Sequence, residues 1–159
     1  MARQRDDSGE IRVICRNKRA FHDYHISDTL ECGIVLTGTE VKSLRDGHAS
    51  LEDAYARLEN GEVWLIGSDI PEYAMGNRMN HKPKRPRKLL LHRREIAKFA
   101  GKASEQGHTL VPLRLYFKAG RAKVELAVAR GKQLHDKRQA KKKTEAQREI
   151  RRAMTERNR

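Results

Sequence analysis

Cysteine is scarce in this chain. Cys15 and Cys32 are the only two, with no CxxC pair and no cysteine-histidine cluster at zinc-ligand spacing. That argues against a disulfide framework or a structural metal site, and both thiols read as small, reduced core residues. Long apolar runs are absent too: nowhere do about 18 consecutive apolar residues occur to span a bilayer. The opening Met-Ala-Arg-Gln-Arg-Asp-Asp has no apolar stretch behind it to make a secretory leader, so a cytoplasmic location without membrane contact is expected. Aromatics make up 5% of the residues, too few and too scattered for a stacking platform of the RRM type, and Tyr24, Tyr55, Trp64 and Tyr73 read as core or rim. Clustered carboxylates are missing as well. Glu52 and Asp53, as neighbours on a strand, would point to opposite faces and could not share an ion. With no nucleophile beside a base, the sequence offers no catalytic constellation, and neither a metal nor a cofactor is expected. No repeat with a period of roughly 20–50 residues appears.

What the chain does have is positive charge. Its 159 residues carry a formal +14 at pH 7, with a pI near 10.2, which calls for a polyanionic partner, nucleic acid foremost. At 37% hydrophobic it supports one modest core with appendages. The charge is concentrated. Arg78, Lys82, Lys84, Arg85, Arg87, Lys88, Arg93 and Arg94 fall in one stretch with no acidic residue, and eleven basic against four acidic residues lie between Gly131 and Arg159. The remainder is close to neutral, so two separate basic segments hang on a nearly uncharged body.

The pattern of that body is mainly β. Residues 1–10 are polar and expected to be flexible; Ile11, Val13 and Cys15 begin a period-2 alternation, and Leu30, Cys32, Ile34 and Leu36 form a second. Gly33 inside the second marks a bulge or a close backbone approach. Val41 and Leu44, with Gly47 as a stop, make a short helix. Leu51 to Leu58 alternates, and Asn60-Gly61 turns the chain into Val63 to Ile66 as a type I′ hairpin. Pro71 to Pro86 reads as a long exposed loop. Ile96, Phe99, Ala100 and Ala103 lie at helical spacing between His92 and Gln106. A second hairpin turns at Ala119-Gly120 between Val111–Phe117 and Val124–Val128, with Pro112 at an edge or bulge. These pieces predict a small antiparallel barrel resembling an OB-fold, about six strands with short helices, over residues 11–130. Residues 131–159 form a basic tail, expected to be disordered alone and helical once phosphates neutralise it, with Glu145 and Glu149 placed to pair with Arg148 and Arg152.

Within the first basic segment, Arg85, Arg87 and Lys88 are expected phosphate contacts, and His81 and His92 are available for stacking or sugar contacts. His135-Asp136 superficially suggests acid-base chemistry. Adjacent helical residues do not face one another, so no catalytic role follows.

Four stretches, in order and spacing, carry a resemblance: Asn17-Lys18-Arg19-Ala20, Gly38-Thr39-Glu40-Val41-Lys42-Ser43-Leu44-Arg45, Arg87-Lys88-Leu89-Leu90-Leu91-His92, and Gly131-Lys132-Gln133-Leu134-His135-Asp136-Lys137-Arg138. Over roughly Ile11 to Met154 the chain resembles the SsrA-binding protein family, departing at Gln133-Leu134, where the family often carries a lysine or another polar pair. The resemblance implies a monomeric, non-enzymatic partner of transfer-messenger RNA (tmRNA) in trans-translation. Its barrel would bind the tRNA-like domain through Asn17, Lys18, Arg19, Glu31 and Leu90 as well as the basic strip. Its tail, through Gly131, Lys132, His135, Asp136, Lys137 and Arg138, would enter the decoding centre and empty mRNA channel of a stalled ribosome. There His135 would stack on a base of small-subunit rRNA and Lys137 and Arg138 would meet phosphates. From the residues alone, Glu31 is an ordinary strand residue and Leu90 a core residue. A structural ribosomal or ribosome-assembly protein is the alternative.

Overall fold

A computed structural model describes residues 10–76, 79–105, 107–132 and 134–157. Two hairpins organise it, each turned by left-handed backbone. Asn60 (φ 52°) and Gly61 (φ 74°) join β3 (Tyr55–Glu59) to β4 (Glu62–Ile66), as the Asn-Gly pair predicts. Ala119 (φ 50°) and Gly120 (φ 75°) join β6 (His108–Lys118) to β7 (Arg121–Gly131). The other strands are β1 (Ile11–Arg16), β2 (Tyr24–Ile34) and β5 (Arg87–Leu90), and the helices are α1 (Lys18–Asp23), α2 (Gly38–Arg45), α3 (Arg93–Ala103) and α4 (Leu134–Arg157).

All pairings are antiparallel, in the order β1-β6-β3-β4-β5-β2-β7, and β7 pairs back onto β6. Six strands thus form a barrel-like ring, drawn together between β3 and β6 by the single pair Ala56–Leu110, while β1 adds to the far end of β6. The described strands number seven rather than the six expected. The extra one is β5, four residues inside a cationic run, in which Arg87 and Leu89 turn inward. Strand β3 starts at Tyr55, later than the alternation from Leu51 suggests, because residues 51–54 close a turn with Ala54 N–H donating to Leu51 O. Glu52 and Asp53 are therefore loop residues, not opposite faces of a strand. Strand β2 starts earlier than expected, since Asp28 stands between Ile26 and Leu30 on the less exposed side and interrupts the apolar alternation at a register shift. Pro112 sits at a register shift in β6, as a residue without an amide proton must inside a ladder. Gly33 is a close approach, not a bulge: a Cβ there would lie 3.2 Å from the Cβ of Leu90.

The ring encloses Cys32, Leu44, Leu65, Leu89, Leu115, Val124 and Leu126, with Phe99 of α3 and its neighbours Ile96 and Ala103 closing one end. A smaller cluster of Ala20, Val111, Leu113, Ala127 and Ala129 packs α1 on the outer face. Burial pushes the Cys15 thiol up to about 11 and that of Cys32 up to about 12, so both stay protonated at neutral pH. No described helix is long and apolar enough to cross a membrane.

Candidate nucleic-acid interface

The cationic strip divides once its residues are placed. Arg87, on β5, is wholly buried, and its Nε donates to Glu40 Oε2, also wholly buried. Its remaining donors meet Ser68 O (3.0 Å), Ser68 Oγ (2.9 Å) and Pro83 O (3.0 Å). Arg87 is thus not a phosphate contact but the anchor joining α2, β5 and the loop before it. Arg85 stands half out of the same site and donates to Glu40 Oε1, which also accepts from Thr37 N–H at 2.9 Å as the N-terminal cap of α2. Burial alone would raise the Glu40 carboxyl, but Thr37 N–H, Arg85 and Arg87 together hold it below the ordinary carboxylate range.

The same cage accounts for the Glu40–Arg45 signature. Ser43 Oγ donates to Pro71 O (2.8 Å), and Leu44 is core. His81 is also inside, contrary to its expected availability for stacking. Its Nε2 donates to Ile70 O (2.7 Å), which leaves Nδ1 to accept from the Thr39 hydroxyl (2.9 Å). The loop before β5 is accordingly pinned at several points, and what it displays are Lys82 and Lys84. With Arg93 and Arg94 at the start of α3, these are exposed and have no anionic partner among the described residues. Lys88 is half-exposed and pairs with Glu62 at 2.9 Å, while Arg78 lies outside the described residues.

Three expected residues from distant parts of the chain converge. Glu31 of β2, Leu90 at the end of β5 and His92, the N-cap of α3, line one groove of about 340 Å³ with Gly33, Leu91, Glu95 and Lys123. Leu90 is not core: it is 51% exposed and forms the ridge between this groove and a second of about 320 Å³ floored by Ile34, Phe117 and Ala122. Glu31 accepts from the hydroxyl of Tyr116 (2.5 Å), with Lys118 3.6 Å away. The Tyr116 hydrogen bond, ahead of the opposing desolvation and the nearby lysines, holds the Glu31 carboxyl below its ordinary range. Tyr116 itself is pushed well up by burial and by Glu31.

Asn17 is buried, with Oδ1 capping Ala20 N–H (3.1 Å) and Nδ2 donating to Pro112 O (2.9 Å). It fixes α1 against the bulge of β6 and leaves Lys18 and Arg19 exposed. Arg19 pairs with Asp53 (3.2 Å) and Asp23 (3.4 Å). Gly131 closes β7 opposite Tyr24, and Lys132 is moored through N–H to Asp23 O (2.8 Å) and Nζ to Phe21 O (3.3 Å). Beyond this root the tail is one helix, α4, in which every described side chain from Arg138 to Arg157 is exposed. An open cleft of about 550 Å³ separates Lys18, Phe21 and His22 from Lys141, Thr144 and Arg148. His135, Asp136 and Lys137 belong to α4 by backbone; their side chains lie outside the described residues. Among the described residues no group of His, Cys, Asp and Glu is arranged to hold a metal ion.

A family model described as SmpB protein matches residues 14–156. The chain belongs to the SmpB family. It is 64% identical over 143 residues to the SsrA-binding protein of Acidothermus cellulolyticus, covering 90% of each chain. With the SsrA-binding protein of Thermobifida fusca it shares 60% over 159 residues, 99% of each. A solved structure described as "tmRNA-SmpB: a journey to the center of the bacterial ribosome" superposes with a TM-score of 0.65 at 49% identity, covering 76% of this chain and 85% of that one. Within the Glu40–Arg45 stretch, Glu40, Ser43 and Leu44 form an internal brace, while Lys42 and Arg45 are exposed. Lys123, which lines the groove, and Tyr116, which is buried and donates to Glu31, were missed by sequence reasoning. The only signal for them was their place in the second hairpin, opposite each other in register.

Proposed function

We propose that this chain is a non-enzymatic RNA-binding adaptor of trans-translation, which binds tmRNA and carries it to stalled ribosomes in the cytoplasm. The observation that carries this reading is the end-to-end alignment with SsrA-binding proteins, named for the RNA they bind. The geometry supports a division of labour. The barrel offers the tRNA-like domain a shaped groove at Glu31, Leu90 and His92, with Lys18 and Arg19 on α1 and with Arg85, Lys88 and the exposed cations near them. Asn17 and Arg87 act from beneath, holding α1 and β5 in place. The exposed helix α4, rooted at Gly131 and Lys132, is the part that occupies the decoding centre and empty mRNA channel. There His135 stacks on an rRNA base, with Asp136, Lys137 and Arg138 beside it. The basic residues of α4 then find phosphate, which explains a helix with too few apolar residues to dock on its own barrel.

The test is to purify the chain from bacterial cells and sequence the RNA bound to it. A single dominant tmRNA species is expected, and deletion of 134–159 should preserve that capture while abolishing tagging of nascent chains on truncated messages. Stoichiometric recovery with all ribosomes and no enrichment of tmRNA would overturn the proposal in favour of a structural ribosomal protein.

A further inference from the structure

The barrel has an acidic side. From Asp46 to Glu72 the chain carries seven carboxylates and only one lysine or arginine, Arg57, inside a molecule of +14. That segment is the β3–β4 hairpin with its flanking turns. The pleat buries Ala56, Val63 and Leu65 and leaves Tyr55, Arg57 and Glu59 of β3 outside, in register with Ile66, Trp64 and Glu62 of β4. The outer face is therefore an apolar strip of Tyr55 (42% exposed), Ile66 and Trp64, with Glu52 and Asp53 at one end and Glu59 and Glu62 at the other. Asp53, Glu59 and Glu62 pair with Arg19, Arg57 and Lys88, all at surface positions where such partners exchange readily.

The second half of α4 matches this face. At about 100° per residue, Lys143, Ala146, Ile150, Ala153, Met154 and Arg157 fall along one side of the helix, a short apolar stripe with a cation at each end. Ile150 is 55% exposed and Met154 64%. Lys143 and Arg157 stand about 21 Å apart along the axis, and Asp53 and Glu59 at most about 20 Å apart along the chain. The stripe faces away from its own barrel. The side of α4 turned towards α1 carries Lys141, Thr144, Glu145 and Arg148, across the cleft from Lys18, Phe21 and His22, and the stripe lies half a turn round from it. A second molecule can meet the stripe where the chain's own barrel cannot.

We propose that in the absence of nucleic acid the stripe of α4 lies on the outer β3–β4 face of a second copy of this chain, and that the exchange is reciprocal, closing a twofold dimer. Ile150 and Met154 rest on Tyr55, Ile66 and Trp64, while Lys143 and Arg157 meet the carboxylates at the two ends. Charge selects this occupant, because a phosphate backbone is repelled by the acidic rim and a basic helix is attracted. The contact is a few helical turns on two strands, which places it in the small, transient class. RNA neutralises the same cations of α4, so RNA and the second copy compete for the tail. The dimer requires only the folded chain, and its failure leaves the tmRNA reading untouched.

Sedimentation equilibrium of the full chain at low salt tests it. The weight-average mass should rise from 18.3 kDa towards that of a dimer as the concentration approaches about 0.5 mM, and level there. Raising the salt to about 0.5 M should weaken association by about tenfold. Trp64 is the sole tryptophan, so its emission should move to shorter wavelength in step with the dimer. Three variants at exposed positions should fold normally, as circular dichroism melts will check, and stay monomeric: Ile150→Asp, the face pair Glu52→Lys with Glu59→Lys, and the tail pair Lys143→Glu with Arg157→Glu. Mixing the face variant with the tail variant should restore association, since intact tail then meets intact face and reversed tail meets reversed face. A chain that stays monomeric at about 0.5 mM in low salt overturns the proposal. So does association that survives Ile150→Asp, a mixture that fails to associate, or a Trp64 shift that depends on the tail but not on concentration, which would mean docking within one molecule.

Discussion

Replacing Arg87 by alanine tests whether the most basic stretch of the chain is partly a structural brace. The change removes every donor that Arg87 supplies to Glu40, Ser68 and Pro83, and leaves a fully buried carboxylate with only Thr37 N–H and the half-exposed Arg85 for company. Breaking a buried pair from one side costs about 3–5 kcal/mol, a large part of the 5–15 kcal/mol typical of a domain. At about 2–4 °C per kcal/mol for a chain of this size, the melting temperature should fall by roughly 6–20 °C. Thermal melts followed by circular dichroism measure it. Below its own melting point the variant should bind RNA with an unchanged dependence on salt, because Arg87 touches no phosphate.

A pH series adds a second arm. Glu40 has a folded value below its unfolded one, so its contribution to stability is complete above the ordinary 4.5 and drains away as the pH falls through the depressed folded value; Glu40→Gln should flatten that acid limb. A melting temperature for Arg87→Ala within about 2 °C of wild type, together with a shallower salt slope, would refute the reasoning and return Arg87 to the RNA surface.

The exposed cations should behave in the opposite way. Replacing Lys82, Lys84, Arg93 and Arg94 by alanine should leave the melting temperature within about 2 °C while lowering the salt slope of RNA binding by about 0.7–0.9 for each phosphate that is no longer neutralised, read from titrations at several salt concentrations. Asn17→Ala should cost about 1–2 kcal/mol in chemical denaturation, through the missing cap of α1 and an orphaned Pro112 carbonyl, and should weaken RNA binding only to the extent that α1 loosens. Deleting residues 134–159 should leave barrel melting unchanged within about 1–2 °C, since every described side chain from Arg138 onward is exposed, and should remove a helical signal from the circular dichroism spectrum.

Local chemistry by itself determined the two hairpins: Asn60-Gly61 is a favoured left-handed pair, and Gly120 between two alternating strands marks the second turn, which carries Ala119 into the left-handed region with it. It also determined the amphipathic α3 and the two basic segments, which follow from periodicity and charge along the chain. Only the tertiary structure decided what each charge does. Arg87 and Lys88 are neighbours in one cationic run, yet the pleat of β5 sends the first to Glu40 in the interior and the second to Glu62 at the surface. Leu90 looks like core by composition but ends a strand as an exposed ridge, and His81 looks like a surface histidine but is held by Thr39 and Ile70. The groove was least legible of all. Glu31, Gly33, Leu90 and Lys123 meet through the pairing of β2 with both β5 and β7, and Tyr116 reaches Glu31 from β6, a strand that is not hydrogen-bonded to β2. Such meetings depend on which strands close the ring and in what register, and no window of sequence contains both partners.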